Sequence, residues 1–374
     1  MAIPILLLLL GCLVHSSYGS VASMERQDLS PTTYPLAMCN DGTQANYFHQ
    51  PGQHKGKIKI NLEGGGKCDS IVACQYRCNR TEFHCTAKTE WDTVEDTKDA
   101  IFPDYWNVFV HYCSSDLWSG TREASDQTGG FFFYGKNIFE AVVQDLAENY
   151  DLLSATNIVL MGGSAGAQGV TFRCDDFSEW VWSQNPDIDV LCVPDAPEYY
   201  PPDVFTEGCA SRDPGYQNHL TEFYGRVEDK SCLEHAAQAG VENVGELCGV
   251  TANFIGFITT PLILLTSHED RIFTGAFGCE PELGTPEHDQ FRQEWMAGHS
   301  ELLMELEVEF PHISFMACNC RTHGFGSNQK ITVTIEETGE TVNAATFIDE
   351  VVKGGVPLHA NDDVTVENPS CQLN

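Results

Sequence analysis

Asn157-Ile-Val-Leu-Met-Gly-Gly-Ser-Ala-Gly-Ala-Gln-Gly169 joins a β-branched apolar run directly to Gly-x-Ser-x-Gly and then to small, helix-compatible residues. A short apolar run bounded by glycine predicts a buried strand. The residues after Ser164 predict a helix, which puts that serine at a sharp strand-to-helix junction. Such a turn brings backbones close together and strains its apical residue, and Gly162 and Gly166 remove the side chains that would obstruct it. Ser164 is therefore the candidate nucleophile. Gly-x-Ser-x-Gly is a common chance pattern on its own; the strand in front of it gives it weight.

Working outward, strand-like runs at 58–62, 108–112, 158–161, 190–193, 262–266 and 313–317 alternate with helical patterns at 136–148 and 290–307. That rhythm predicts an α/β protein with a mostly parallel central sheet and helices on both faces. A short hairpin over 330–342 and a last helix at 344–352 follow. No Pro/Gly/Ser-rich linker or internal repeat divides the chain, so one domain over 20–374 is expected. The cysteine-rich stretches 68–85 and 192–279 read as disulfide-stapled insertions.

The first residues form an apolar core, Ile3 to Val14, too short to cross a bilayer, followed by the small-x-small pattern Ser17-Tyr18-Gly19. They predict a signal peptide over 1–19 and a secreted, extracellular protein, with no later segment suited to membrane insertion. Sixteen cysteines fit an oxidising compartment. Removing Cys12 with the leader leaves an odd number, so at least one thiol is expected to be free or paired between chains, with Cys371 the first choice. Cys318-Asn-Cys320-Arg-Thr-His323 also admits a zinc reading, but the spacing is unusual and no second half appears, so no metal and no cofactor are expected. Asn79-Arg-Thr81 is a glycosylation sequon expected in a surface loop. A formal charge of −34 repels polyanions and argues against nucleic acid as a partner.

In an open α/β sheet, sites form at the carboxyl ends of strands. Glu63-Gly-Gly-Gly-Lys67 follows one strand, and its bare amides can approach an oxyanion, so Gly65, Gly66 and Ala165 are the expected donors. Asp270 ends Thr266-Ser-His-Glu-Asp270 after another strand, with Asp195 its rival; His323 follows a third, with His299, His312 and His359 as alternatives. The order Ser164, Asp270, His323 is that of α/β-hydrolase triads. Cys320 three residues before His323 favours that histidine, since a disulfide would pin its loop. Trp118 is a candidate pocket residue, against a core-packing alternative.

Six segments then resemble the pectin acetylesterase and Notum carboxylesterase family in order: Leu62 to Cys68, Tyr112 to Gly120, Gly162 to Gly166, Cys192 to Ala196, Pro261 to Asp270 and Cys320 to His323. The resemblance covers about Tyr34 to Val352. It implies an α/β-hydrolase-like fold, Asp270 and His323 rather than Asp195 as triad partners, and removal of an O-linked acyl group from an acylated polysaccharide or an acylated protein. The chain departs from both branches. Plant-type members carry an aromatic where Lys67 stands, and the Notum branch carries a large aromatic where Gly66 stands. Acetyl removal from polysaccharide is the first expectation; lipid deacylation of a protein and a catalytically silent binding protein are the alternatives.

Overall fold

A computed structural model describes residues 24–54, 56–80, 84–90, 101–201, 215–277 and 280–373. The expected leader over 1–19 lies outside the described residues. Strands β1 (Glu25–Asp28), β2 (Asn46–Gln50), β3 (Lys57–Leu62), β4 (Trp106–Val110), β5 (Asn157–Gly163), β6 (Asp189–Asp195), β7 (Ile263–Ser267), β8 (Ser314–Cys318) and β11 (His359–Asn361) form one nine-stranded sheet in the order β1-β2-β4-β3-β5-β6-β7-β8-β11. The strands from β4 to β11 run parallel, while β1 and β2 make an antiparallel edge. Strands β9 (Thr332–Thr334) and β10 (Thr341–Asn343) pair separately as the expected hairpin.

On β5, β7 and β8 both faces are apolar, because successive side chains point to opposite sides and both sides are covered. On β5, Ile158 and Leu160 join one core with helices α2 (Gly135–Asn149) and α3 (Ala165–Gln184), whereas Val159 joins the other. Leu264 and Phe315 repeat the first side, and Leu265 and Met316 the second, where helix α9 (Ala344–Gly354) packs through Phe347 and Ile348. Helix α8 (Pro286–Glu309) covers the first side through Leu303 and Leu306.

Six disulfides join described cysteines: Cys39–Cys113, Cys68–Cys74, Cys78–Cys85, Cys174–Cys192, Cys232–Cys248 and Cys320–Cys371. Cys371 is thus bonded, contrary to the sequence expectation, and among the described residues the free thiol is Cys318, buried at the end of β8. Proximity to the terminus misled, because the last residues fold back over the loop after β8. The stretch 68–85 holds two of these bridges around helix α1 (Ile71–Arg80). The second insertion is narrower than 192–279: helices α4 (Tyr216–Tyr224), α5 (Lys230–Ala239), α6 (Val244–Cys248) and α7 (Thr251–Phe254) lie between core strands β6 and β7. Asn79 is exposed in the last turn of α1 rather than in a loop. No helix among the described residues is long and apolar enough to cross a membrane.

Candidate active site

Strand β5 ends at Gly163 and α3 begins at Ala165, leaving Ser164 between them at φ 57°, ψ −120°. A positive φ is disfavoured for a residue with a Cβ, and the surrounding backbone holds it there. Ser164 N–H donates to the Asp195 carbonyl at 2.9 Å. A Cβ on Gly162 would lie 2.6 Å from the Gly166 backbone, and one on Gly166 would lie 2.0 Å from the Leu62 carbonyl oxygen. The flanking glycines are therefore required by contact.

Two loops deliver the partners. Asp270 follows β7 and His323 follows β8, neighbouring parallel strands. His323 Nε2 lies 2.7 Å from Ser164 Oγ, and His323 Nδ1 lies 2.7 Å from Asp270 Oδ2. An ionised carboxylate only accepts, so Nδ1 donates to it and Nε2 is left to accept the serine proton. Asp270 is 3% exposed, and its Oδ1 accepts from Ile272 N–H at 2.9 Å, which holds it facing the imidazole. Phe273 packs edge-on against the His323 ring at 5.4 Å between centroids.

Asp195, the rival acid, is assigned different partners. Its Oδ1 and Oδ2 accept from Phe325 N–H at 3.1 Å and Gly326 N–H at 2.9 Å, immediately after His323. Burial pushes its pKa up to about 6, partly opposed by those two amides and by His323. The other histidines are occupied elsewhere. His299 bonds Thr266 and His268, His312 Nε2 donates to the Ile258 carbonyl, and His359 engages Glu337.

The glycine loop lies against the elbow. A Cβ on Gly64 would sit 2.5 Å from the Gly163 carbonyl oxygen and 3.3 Å from Ser164 Cβ, so only glycine permits this approach. Gly65 and Gly66 adopt φ 143° and 75°. Among the described residues, the amides of Gly65, Gly66 and Ala165 donate to no protein acceptor; for Ala165 this is the normal state of a first-turn helix amide. The loop is held from below. Burial would raise the pKa of Glu63, but its hydrogen bond and charge contact with His111, with Lys88 and the Tyr112 amide, bring it below the ordinary carboxylate range. Lys67 Nζ donates to Glu198 Oε1 at 2.5 Å, joining this loop to the one after β6, with the two side chains 10% and 6% exposed.

Trp118 is not a pocket residue. It has no exposed surface, its Nε1 donates to the Glu63 carbonyl at 3.1 Å, and its ring lies 2.6 Å from where a Gly169 Cβ would be. It belongs to the core beneath the glycine loop, because a ring that large next to a helical glycine fills the space the missing side chain leaves. The contribution of Asp195 to the His323 loop and the Lys67–Glu198 pair were not legible in the sequence; a strand-end position flagged Asp195, but for the wrong contact. Cys320 is consumed by its bridge to Cys371, which removes it as a metal ligand.

The family model described as pectinacetylesterase matches residues 23–293. The palmitoleoyl-protein carboxylesterase Notum of Schmidtea mediterranea is 32% identical over 173 residues, which are 42% of this chain and 32% of that protein. Pectin acetylesterase 11 of Arabidopsis thaliana is 30% identical over 168 residues, 43% of this chain and 42% of that protein. The chain therefore spans less than half the length of these curated relatives. The structure of the Wnt deacylase Notum from Drosophila matches with a TM-score of 0.76 over 94% of this chain and 99% of that one at 20% identity, a likeness of fold. With well over half its length matched by the family model, the chain belongs to the pectinacetylesterase family.

Proposed function

We propose that the chain is an exported carboxylesterase that removes an O-linked acyl group through an acyl-enzyme on Ser164. The observation that carries this reading is the continuous hydrogen-bond chain Ser164 Oγ, His323, Asp270, with each step 2.7 Å. Ser164 Oγ attacks the ester carbonyl carbon as His323 Nε2 takes its proton, and Asp270 keeps the imidazole in the required tautomer and balances its positive charge. The oxyanion that forms is met by the amide of Ala165 and by those of Gly65 or Gly66; losing one such donor costs about 10²–10³ in rate. The tetrahedral species collapses with transfer of the proton from His323 to the departing alkoxide. Water, deprotonated by the same imidazole, then releases the acid and restores Ser164. Export is supported by six disulfides, which persist in oxidising compartments.

A short acyl group on a carbohydrate is the favoured substrate. The charged Lys67–Glu198 pair bridges the two loops that flank Ser164, a setting less suited to a long aliphatic chain than an aromatic wall. The relatives named as palmitoleoyl-protein carboxylesterases favour the second reading, lipid removal from an acylated protein. Hydrolysis of p-nitrophenyl acetate, butyrate, octanoate and palmitate by the mature chain separates them. Preference for acetate is expected, with kcat lowered roughly 10⁴-fold or more in Ser164→Ala, His323→Ala and Asp270→Asn. Preference for octanoate would move the assignment to lipid deacylation, and a folded wild type inert on all four esters would remove the general-esterase reading.

A further inference from the structure

We propose that Glu269 and Arg321 are a positioning pair that fixes the loop carrying Asp270 against the loop carrying His323. The inference rests on the Ser164, His323, Asp270 reading above. Strands β7 and β8 pair in register as far as Ser267 and Cys318. One more backbone bond, from His268 N–H to the Cys318 carbonyl at 3.0 Å, ends the ladder, and three side-chain rungs then join the two loops. Ser267 Oγ donates to the Cys320 carbonyl, Arg321 Nη1 donates to Glu269 Oε1 at 2.9 Å, and His323 Nδ1 donates to Asp270 Oδ2 at 2.7 Å.

The middle rung is the rigid one. A carboxylate and a guanidinium are both planar, so their contact fixes orientation as well as distance. Glu269 is 1% exposed and both of its oxygens are engaged, since Oε2 accepts from Arg292 Nε on α8 at 2.5 Å. Arg321 is steadied at its other end, where Nη2 donates to Glu280 Oε1 at 2.6 Å. Glu269 therefore anchors the acid loop to a long helix and reaches across to the base loop one residue before Asp270 and two before His323. Buried or half-buried ion pairs contribute little net stability, and their best-attested use is to fix register. Here the register is that of a general base whose misplacement by about 1 Å can cost about 10² in rate. Removing Arg321 leaves Glu269 neutralised by Arg292, so the variant retains its fold.

The test compares wild type with Arg321→Ala, Arg321→Lys, Glu269→Gln and the double variant Glu269→Gln/Arg321→Ala in the full chain. The measurements are kcat and KM on p-nitrophenyl acetate, the thermal midpoint, and the far-downfield proton resonance of His323 Nδ1–H. Expected for Arg321→Ala are a kcat lower by roughly 10- to 100-fold, a KM within about threefold of wild type and a shifted or broadened resonance. Lysine recovers part of the loss, and the double variant is no worse than Arg321→Ala, because the two residues act as one unit. The proposal is overturned if Arg321→Ala stays within about twofold of wild type with its resonance unmoved, if the two single losses multiply in the double variant, or if activity falls only with the folded fraction. A wild type that neither hydrolyses the ester nor reacts with a fluorophosphonate would overturn the esterase reading instead; the resonance in wild type and Arg321→Ala would still decide the pairing.

Discussion

Asp195 bonds both sides of the site. Its backbone oxygen receives the Ser164 amide, and its carboxylate receives the amides of Phe325 and Gly326. Burial holds its pKa at about 6, above the ordinary 3.8, so the folded state binds this proton more tightly than the unfolded chain does. The sign follows from linkage: a raised carboxyl pKa makes stability fall as pH rises from the unfolded value through the folded one, with the full penalty present above about 6. Asparagine cannot ionise, so in Asp195→Asn that part of the pH dependence disappears. Urea midpoints measured at about pH 7 and about pH 4.5 should rise on acidification more in wild type than in the variant. An identical rise in both would remove Asp195 from the account. Ser164 was legible in the sequence because its strand, turn and helix are contiguous, and Asp270 and His323 because both follow apolar strands. The loop-holding contact of Asp195 was not, since its amide partner Phe325 stands 130 residues away and donates through backbone that carries no residue signature.

The strands that the sequence announced, β3, β4, β5, β6, β7 and β8, each carry buried apolar side chains on at least one face, and β5, β7 and β8 on both. β2, Asn-Tyr-Phe-His-Gln, was missed because its polar residues are satisfied by tertiary partners; Asn46 Nδ2, for example, donates to the Lys88 carbonyl at 2.7 Å. β11 was missed because three residues beyond Val352 carry no periodicity, although they extend the sheet beside β8. That last strand matters to the site through its sequel. The chain after it returns over the β8 loop, where Cys371 bonds Cys320 across a separation of 51 residues. In the chain-entropy account, closing a loop of that length is worth about 4 kcal/mol. The double replacement Cys320→Ser/Cys371→Ser should therefore lose roughly 2–4 kcal/mol in urea unfolding. Its kcat should fall much less than that of Arg321→Ala, because the side-chain rungs between the two loops remain. If kcat instead collapses while stability is kept, the bridge and not the ion pair sets the loop.

Over the whole molecule, 54 acidic residues face 20 lysines and arginines. Single-site titrations pull stability in opposite directions across nearly the same pH window. Burial raises Asp116, Asp195 and Asp229 to about 6, which favours the folded state as pH falls. Burial lowers His84 and His268 to about 4, so the unfolded chain takes up those protons first and stability falls with pH between about 6.5 and 4. With terms of opposite sign overlapping, the deciding contribution is the mutual repulsion of a chain at −34, which destabilises any compact state and is screened by salt. Protonation of all 13 histidines would bring that charge only from −34 to −21, so repulsion persists in weak acid but is reduced. Raising sodium chloride from about 0.05 M to about 0.5 M should accordingly increase the urea midpoint at about pH 7.5, and increase it less at about pH 5. A midpoint indifferent to salt at neutral pH would mean that the acidic surface is already compensated locally by ion pairs such as Lys230–Glu179 and Lys136–Glu140, and that the buried carboxyls alone govern the acid response.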